Sequence, residues 1–190
     1  LYAEEASRRS ARDPHADYAS YLASLDLRAE VSTLTPANLD RVLQLSLRSN
    51  QFNFRTHRYS RKELVAALED PQRVWTLLSL RDRFGDYGLV AVVDAVLARA
   101  GGAEIRNWFM SCRVLQRGME ACTMNQLAKR LRAAGATQVR LPFSPTPKNG
   151  LVAELPRVLG WSSDAESPNL WHLDLASYSP LKTPIQVSAS

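Results

Sequence analysis

Cysteine is nearly missing from this 190-residue sequence, which holds only Cys112 and Cys122. Two thiols ten positions apart make neither a disulfide framework nor a zinc-ligand spacing. Histidine is as scarce, with three copies scattered at 15, 57 and 172, so no metal set is expected. No apolar run approaches the ~20 residues of a membrane-spanning helix. No secretory leader opens the chain either, so the expected location is the cytoplasm, with no membrane partner. The sequence also has no basic block: its 24 Lys and Arg are spread along the chain, which argues against a nucleic-acid partner. The formal charge of +5 still points to an acidic partner, and phosphorylated small molecules and acidic proteins both fit.

What is present is ordinary globular material, 45% hydrophobic and 23% charged, and long enough for one core. The chain begins at Leu1 rather than Met and reads as a piece of something longer. Residues 1–26 are expected to be a helical linker or docking segment, broken at Pro14. A strand is expected over 27–35. Thr35 and Pro36 then look like the cap and first residue of a helix carrying Leu39, Val42, Leu43 and Leu47 at helical spacing. Ser60 with Glu63 three residues on forms a capping box ahead of a second helix. Strands follow at 74–82 and 87–98, joined by "RFGD" with Gly85 in the turn. The next strand is expected over 104–115, then an amphipathic helix closed by Gly135, a strand in "TQVRLPF", a short helix ending at Gly160, and a strand in "LWHLDL". The Ser/Pro-rich tail, 177–190, is expected to hug the surface or to move. The order β-α-α-β-β-β-α-β-α-β makes 27–176 one α/β (α+β) domain, a mixed sheet flanked by helices.

That order, with a strand feeding a basic glycine turn and a later "N…LGW", resembles the GNAT acyltransferase fold. More specifically, "QLSLRSNQFNFRTHRY", "DRFGDYGLV", "MSCRVLQRGME" and "TPKNGLV…LGW" together resemble the C-terminal domain of FkbH-like glyceryl transferase/phosphatases. The likeness runs from about residue 2 to about residue 176. It implies acyl transfer from a 1,3-bisphosphoglycerate-derived donor, through a cysteine thioester, to the phosphopantetheine thiol of an acyl carrier protein in polyketide assembly. It also implies a haloacid-dehalogenase-type phosphatase half as an N-terminal partner. The Asp-x-Asp signature of that half is absent from these residues, so no phosphatase chemistry is assigned to this chain. Two other readings stay open: a coenzyme A-dependent acyltransferase with no covalent intermediate, and a non-catalytic module that docks the carrier protein.

Cys112 is the candidate nucleophile. Strand alternation puts it on one face with Trp108 and Met110, and in a GNAT-like fold the fourth strand splays from the fifth to admit a pantetheine arm. A thiolate there can accept an acyl group and pass it to a carrier thiol, with Arg113 and Arg117 as neighbouring positive charges. Core filler is its bland reading, and Cys122 on the following helix reads as structural. Arg113, Gln116, Arg117 and Gly118 form a turn able to bind a phosphate at a helix start. Glu120, standing where coenzyme A users keep a small residue, favours a single phosphate over a pyrophosphate. Asn50, Gln51 and Asn53 can hydrogen-bond a polyhydroxy acyl group, or can simply finish a helix. His57 is a candidate general base, with a plain surface histidine as the alternative. In "SPTPKNG", Thr146 and Lys148 are candidate substrate contacts. Asn149 is a candidate oxyanion donor or a helix cap. The helix "ELPRVLGW" lacks the tyrosine acid that many GNAT enzymes place there, so it departs from the amine-acetylating pattern.

Overall fold

A computed structural model describes residues 14–188. Helix α1 (Pro14–Ser24) leads into strand β1 (Arg28–Ser32), followed by helices α2 (Leu39–Arg48) and α3 (Arg61–Leu68). Strands β2 (Arg73–Asp82), β3 (Gly85–Leu97) and β4 (Gly102–Met110) form a meander. Helix α4 (Met119–Ala133), strand β5 (Gln138–Pro142), the single turn α5 (Leu155–Val158) and strands β6 (Ser162–Asp164), β7 (Ser167–Asp174) and β8 (Gln186–Ser188) complete the chain. All eight strands make one sheet in the order β6-β7-β5-β4-β3-β2-β1-β8. Two pairings are parallel, β4 with β5 and β1 with β8; the others are antiparallel.

The alternation of the central strands sorts the core into two layers. Trp75, Leu77, Leu89, Val92 and Phe109 pack beneath Leu39, Val42 and Leu64 of α2 and α3. Leu78, Leu80, Val93, Ile105, Trp108 and Met110 join the apolar face of α4 in the other layer. Burial of both faces of β3 explains its unbroken "LVAVV" run.

Local signals worked where their chemistry is self-contained. The Ser60 hydroxyl accepts from the Glu63 N–H at 3.2 Å, and the Glu63 carboxylate accepts from the Ser60 N–H at 2.7 Å. The hairpin is held by Asp82, whose carboxylate accepts from the N–H groups of Phe84 and Gly85 and from the Tyr87 hydroxyl. Thr35, by contrast, does not cap α2: its carbonyl accepts from Asn38 and Leu39, and the helix begins one turn later.

One larger expectation changes. The fourth strand ends at Met110, because the Ser111 side chain turns back to accept from the Arg113 N–H and starts a short 3₁₀ turn over Cys112–Val114. The tail, expected to hug the surface or to move, is packed onto the fold. Tyr178 and Ile185 are buried, and β8 extends the sheet along β1. The first helix expected in the lead lies outside the described residues. Among the described residues no helix is long and apolar enough to cross a membrane.

Candidate functional site

The parallel ladder between β4 and β5 lasts three residues, Gly102–Glu104 against Gln138–Arg140, and the strands then part. The opening is filled by the chain itself. The Phe54 N–H donates to the Trp108 carbonyl at 3.0 Å, and the Met110 N–H donates to the Phe52 carbonyl at 3.1 Å. On the opposite side the Ser144 N–H donates to the Phe54 carbonyl at 2.8 Å. Phe52–Phe54 is therefore a strand-like wedge, with Asn53 bridged to Phe109, and its rings pack against Trp108 and Phe143.

Two amides singled out by the sequence hold this wedge rather than face a ligand. Asn149 is fully buried. Its Nδ2 donates to the carbonyls of Asn53 (2.8 Å) and Ser144 (3.0 Å), while its Oδ1 accepts from the Thr146 N–H (2.6 Å) and hydroxyl (3.0 Å). Every hydrogen-bonding position of the amide is used, so Asn149 has no donor left for an oxyanion. Asn53, equally buried, donates to the Ser49 carbonyl and accepts from the Thr56 N–H; it too is structural.

Cys112 stands just past the end of β4, exposed. It does not continue the Trp108/Met110 face, because the strand has already ended. Instead it forms part of the wall shared by two cavities. One, of about 530 Å³, is lined by Asn50, Gln51, Lys148, Arg48, Phe52 and Met110 as well as Cys112. The other, of about 370 Å³, lies between α2 and the Ser111–Arg113 turn. The structure thus joins Cys112 with three residues picked out for substrate binding, Asn50, Gln51 and Lys148. Thr146 lines an adjoining cavity with Asn50 and Lys148. Asn50 is oriented by Arg58, whose guanidinium donates to its side-chain oxygen.

The other sulfur is of a different kind. Cys122 is buried in the α4 core layer, and burial pushes its thiol up to about 11.

His57 is not brought to Cys112. It lines a separate cavity with Arg55, Tyr59, Glu63, Arg73, Asp94 and Arg106, and its Nε2 lies 3.1 Å from the Glu63 carboxylate. At the floor of that cavity the Tyr59 hydroxyl donates to Asp94 at 2.7 Å, and Arg73 grips the same carboxylate through two nitrogens. The general-base pairing read from the sequence is corrected accordingly: 55 positions, spanning α3 and the β2–β4 meander, separate the two in the chain, and the fold sends them to different cavities.

The glycine turn is also changed. The Gln116 N–H, one of the amides an anion would use, already donates to the Glu120 carboxylate at 3.0 Å, and the Gln116 carbonyl accepts from the Tyr18 hydroxyl. Arg117 is turned onto Tyr87, donating to its hydroxyl at 3.0 Å and lying 3.7 Å from Asp82. Gly118 adopts φ +82, and a Cβ there would stand 2.6 Å from Pro184 Cδ, so the tail lies directly on it. Of the four turn residues only Arg113 faces a cavity with Cys112.

Coenzyme A, the cofactor associated with this fold, does not fit these residues in the usual way. The edge of β4 on which a pantetheine arm would lie is bonded to Phe52 and Phe54, and the turn that would meet its pyrophosphate is capped by Glu120 and covered by the tail. What the sequence reading missed is cationic: Arg41 and Arg48, two helical turns apart on α2, line the second Cys112 cavity. Their i, i+7 spacing was a visible signal.

No family model matches the chain, and no curated protein matches it. Solved structures do match. The ribosomal-protein-S18-alanine N-acetyltransferase of Escherichia coli aligns with a TM-score of 0.57 and 12% identity, over 80% of this chain and 96% of that one. The GNAT domain of S. lividans PAT aligns with a TM-score of 0.56 and 15% identity, over 76% and 89%. Spermidine N-acetyltransferase from Vibrio cholerae, solved with CoA and spermine, aligns with a TM-score of 0.58 and 11% identity, over 78% and 96%. At these identities the likeness is one of fold, and it agrees with the strand order and the parted β4–β5 pair: the chain has the GNAT fold.

Proposed function

We propose that this chain is an acyltransferase domain in which Cys112 accepts an acyl group and hands it to the phosphopantetheine thiol of an acyl carrier protein, as in FkbH-like proteins. The observation that carries this reading is the placement of an exposed thiol in the wall common to two cavities, one of them lined by the side chains of Asn50, Gln51 and Lys148. Amide and ammonium groups suit the hydroxyls of a glyceryl group, and the basic surroundings suit a phosphorylated donor.

In this mechanism the Cys112 proton passes to solvent and the thiolate attacks the carbonyl carbon of an acyl phosphate. The C–O bond breaks, and inorganic phosphate leaves with its electron pair. The carrier thiolate then attacks the thioester, the C–S bond to Cys112 breaks, and the cysteine thiolate is restored. A phosphatase half, outside this chain, would act on the donor's second phosphate.

Direct transfer from coenzyme A has the filled β4–β5 opening and the Glu120-capped turn against it. A purely docking role leaves the exposed thiol without use. The test is to alkylate the native protein with iodoacetamide and follow carrier loading by mass spectrometry. The reading expects loading to stop when Cys112 is modified, and loading that continues on a fully alkylated Cys112 refutes it.

A further inference from the structure

The second Cys112 cavity has a one-sided charge. On α2, Arg41, Gln44, Leu45 and Arg48 recur at i, i+3, i+4 and i+7, so all four lie on one stripe of the helix. That stripe, with Leu89, Ser111 and Arg113, lines about 370 Å³. Three guanidiniums border it and no carboxylate does. Several other arginines meet a carboxylate, as Arg61 meets Asp40, Arg73 meets Asp94 and Arg140 meets Glu104, and others, such as Arg130 and Arg132, are spent on backbone carbonyls. Among the described residues Arg41, Arg48 and Arg113 have no such partner. The Arg41 guanidinium reaches only the neutral Gln44 oxygen, and Arg113 only the Ser111 hydroxyl at 3.4 Å. Like charges gathered without a counter-ion repel one another, and an entering anion relieves this.

We propose that this cavity is a phosphate subsite, with Arg41, Arg48 and Arg113 as its binding groups, and that a phosphate-bearing arm reaches Cys112 along α2 rather than through the β4–β5 opening. The cavity's shape sets the order of groups. Seven residues of helix span about 10 Å. Arg48 borders both cavities beside Cys112, whereas Arg41, two helical turns before it, borders only the second. A phosphate separated from its thiol by a pantetheine-type chain belongs at the Arg41 end, with its apolar and amide portions against Leu45 and Leu89. A phosphate attached directly to the reacting carbonyl belongs at Arg48 and Arg113. The inference takes from the proposed function only the identity of the arm; the binding itself does not require transfer.

The test reads binding without chemistry, as protection of Cys112 from iodoacetamide, followed by peptide mass spectrometry. The probes are S-methyl 4′-phosphopantetheine, its dephosphorylated twin, and inorganic phosphate. The expected result is that the phosphorylated arm slows Cys112 alkylation at least five-fold and the dephosphorylated twin less than two-fold. Arg41→Gln, a change at an exposed position, should raise the concentration of arm needed for that protection about ten-fold, in the range of a lost charge-assisted bond. Arg117→Gln, on the tail-covered turn, should leave it unchanged. Protection by inorganic phosphate that is lost in Arg48→Gln but kept in Arg41→Gln supports the same subsite and assigns it to the donor's phosphate. Equal protection by both arms, protection by no probe, or protection unaffected by Arg41→Gln and Arg48→Gln alike overturns the proposal. A protein that forms no acyl adduct yet shows the protection pattern would sink the proposed function and leave the subsite standing.

Discussion

Replacing Asn149 with alanine separates two roles that the sequence alone could not. In the structure this amide makes four hydrogen bonds, to the Asn53 and Ser144 carbonyls and to both polar groups of Thr146. Thr146 is partly exposed and can turn to water, so the two carbonyls on the wedge side bear most of the loss. A net hydrogen bond contributes about 1 kcal/mol, and a buried group left without a partner costs about 1–3 kcal/mol. The expected destabilisation is therefore about 2–4 kcal/mol. In urea, with a slope of about 2 kcal/mol per molar, the midpoint should fall by roughly 1–2 M. Asn149→Asp should be at least as damaging, because it keeps the acceptors but sets carboxylate oxygen against two carbonyls. If Asn149 instead supplied an oxyanion bond, the variant would lose rate at nearly unchanged stability. A loss below about 1 kcal/mol would refute the clamp.

Further outcomes follow from the same geometry. At pH 8, iodoacetamide should modify Cys112 and spare Cys122 in the native protein, since burial raises the second thiol to about 11; comparable labelling of both in peptide mapping would contradict the core placement. Gly118→Ala puts a methyl group 2.6 Å from Pro184 Cδ at φ +82, so the tail should lift, seen as faster proteolysis after Tyr178. Phe54→Ala removes a fully buried ring from the wedge and should cost about 3–5 kcal/mol in a chemical melt. The Glu63 carboxyl is held below its ordinary 4.5 by the Ser60 N–H and then the Ser60 hydroxyl. Because its folded value lies below its unfolded one, its contribution is full above about pH 4.5 and disappears as pH falls through the folded value. Stability should therefore decline more steeply on acidification in the wild type than in Glu63→Gln, and equal slopes would oppose this reading.

Much of the fold was legible because its signals are local. The capping box at Ser60, the Asp82 hairpin, and the alternation that sends Trp108 and Phe109 to opposite core layers all follow from residues near one another in the chain. Motif resemblance named Cys112, Asn50, Gln51 and Lys148, but not that the thiol stands exposed past the strand end instead of on the Trp108/Met110 face. Three other things were not legible, each for the same kind of reason. Whether Asn53 and Asn149 face a ligand depends on a wedge joining residues almost one hundred positions apart. Whether Gly118 meets a phosphate depends on Thr183 and Pro184, whose Ser/Pro-rich context does not say where on the surface that segment packs. The separation of His57 from Cys112 depends on where its loop is held, with the Asn107 amide donating to the His57 carbonyl fifty positions away. Arg41 and Arg48 were visible as a stripe, but only the fold shows that no carboxylate comes to meet them.

The most direct test of the account is intact-protein mass spectrometry of wild type, Cys112→Ala and Cys122→Ala after incubation with a glyceryl donor and the phosphatase half, followed by addition of acyl carrier protein. The account predicts a glyceryl adduct on wild type and Cys122→Ala that is absent from Cys112→Ala and is discharged by the carrier. A carrier loaded equally well by Cys112→Ala, with no adduct on any variant, would contradict it.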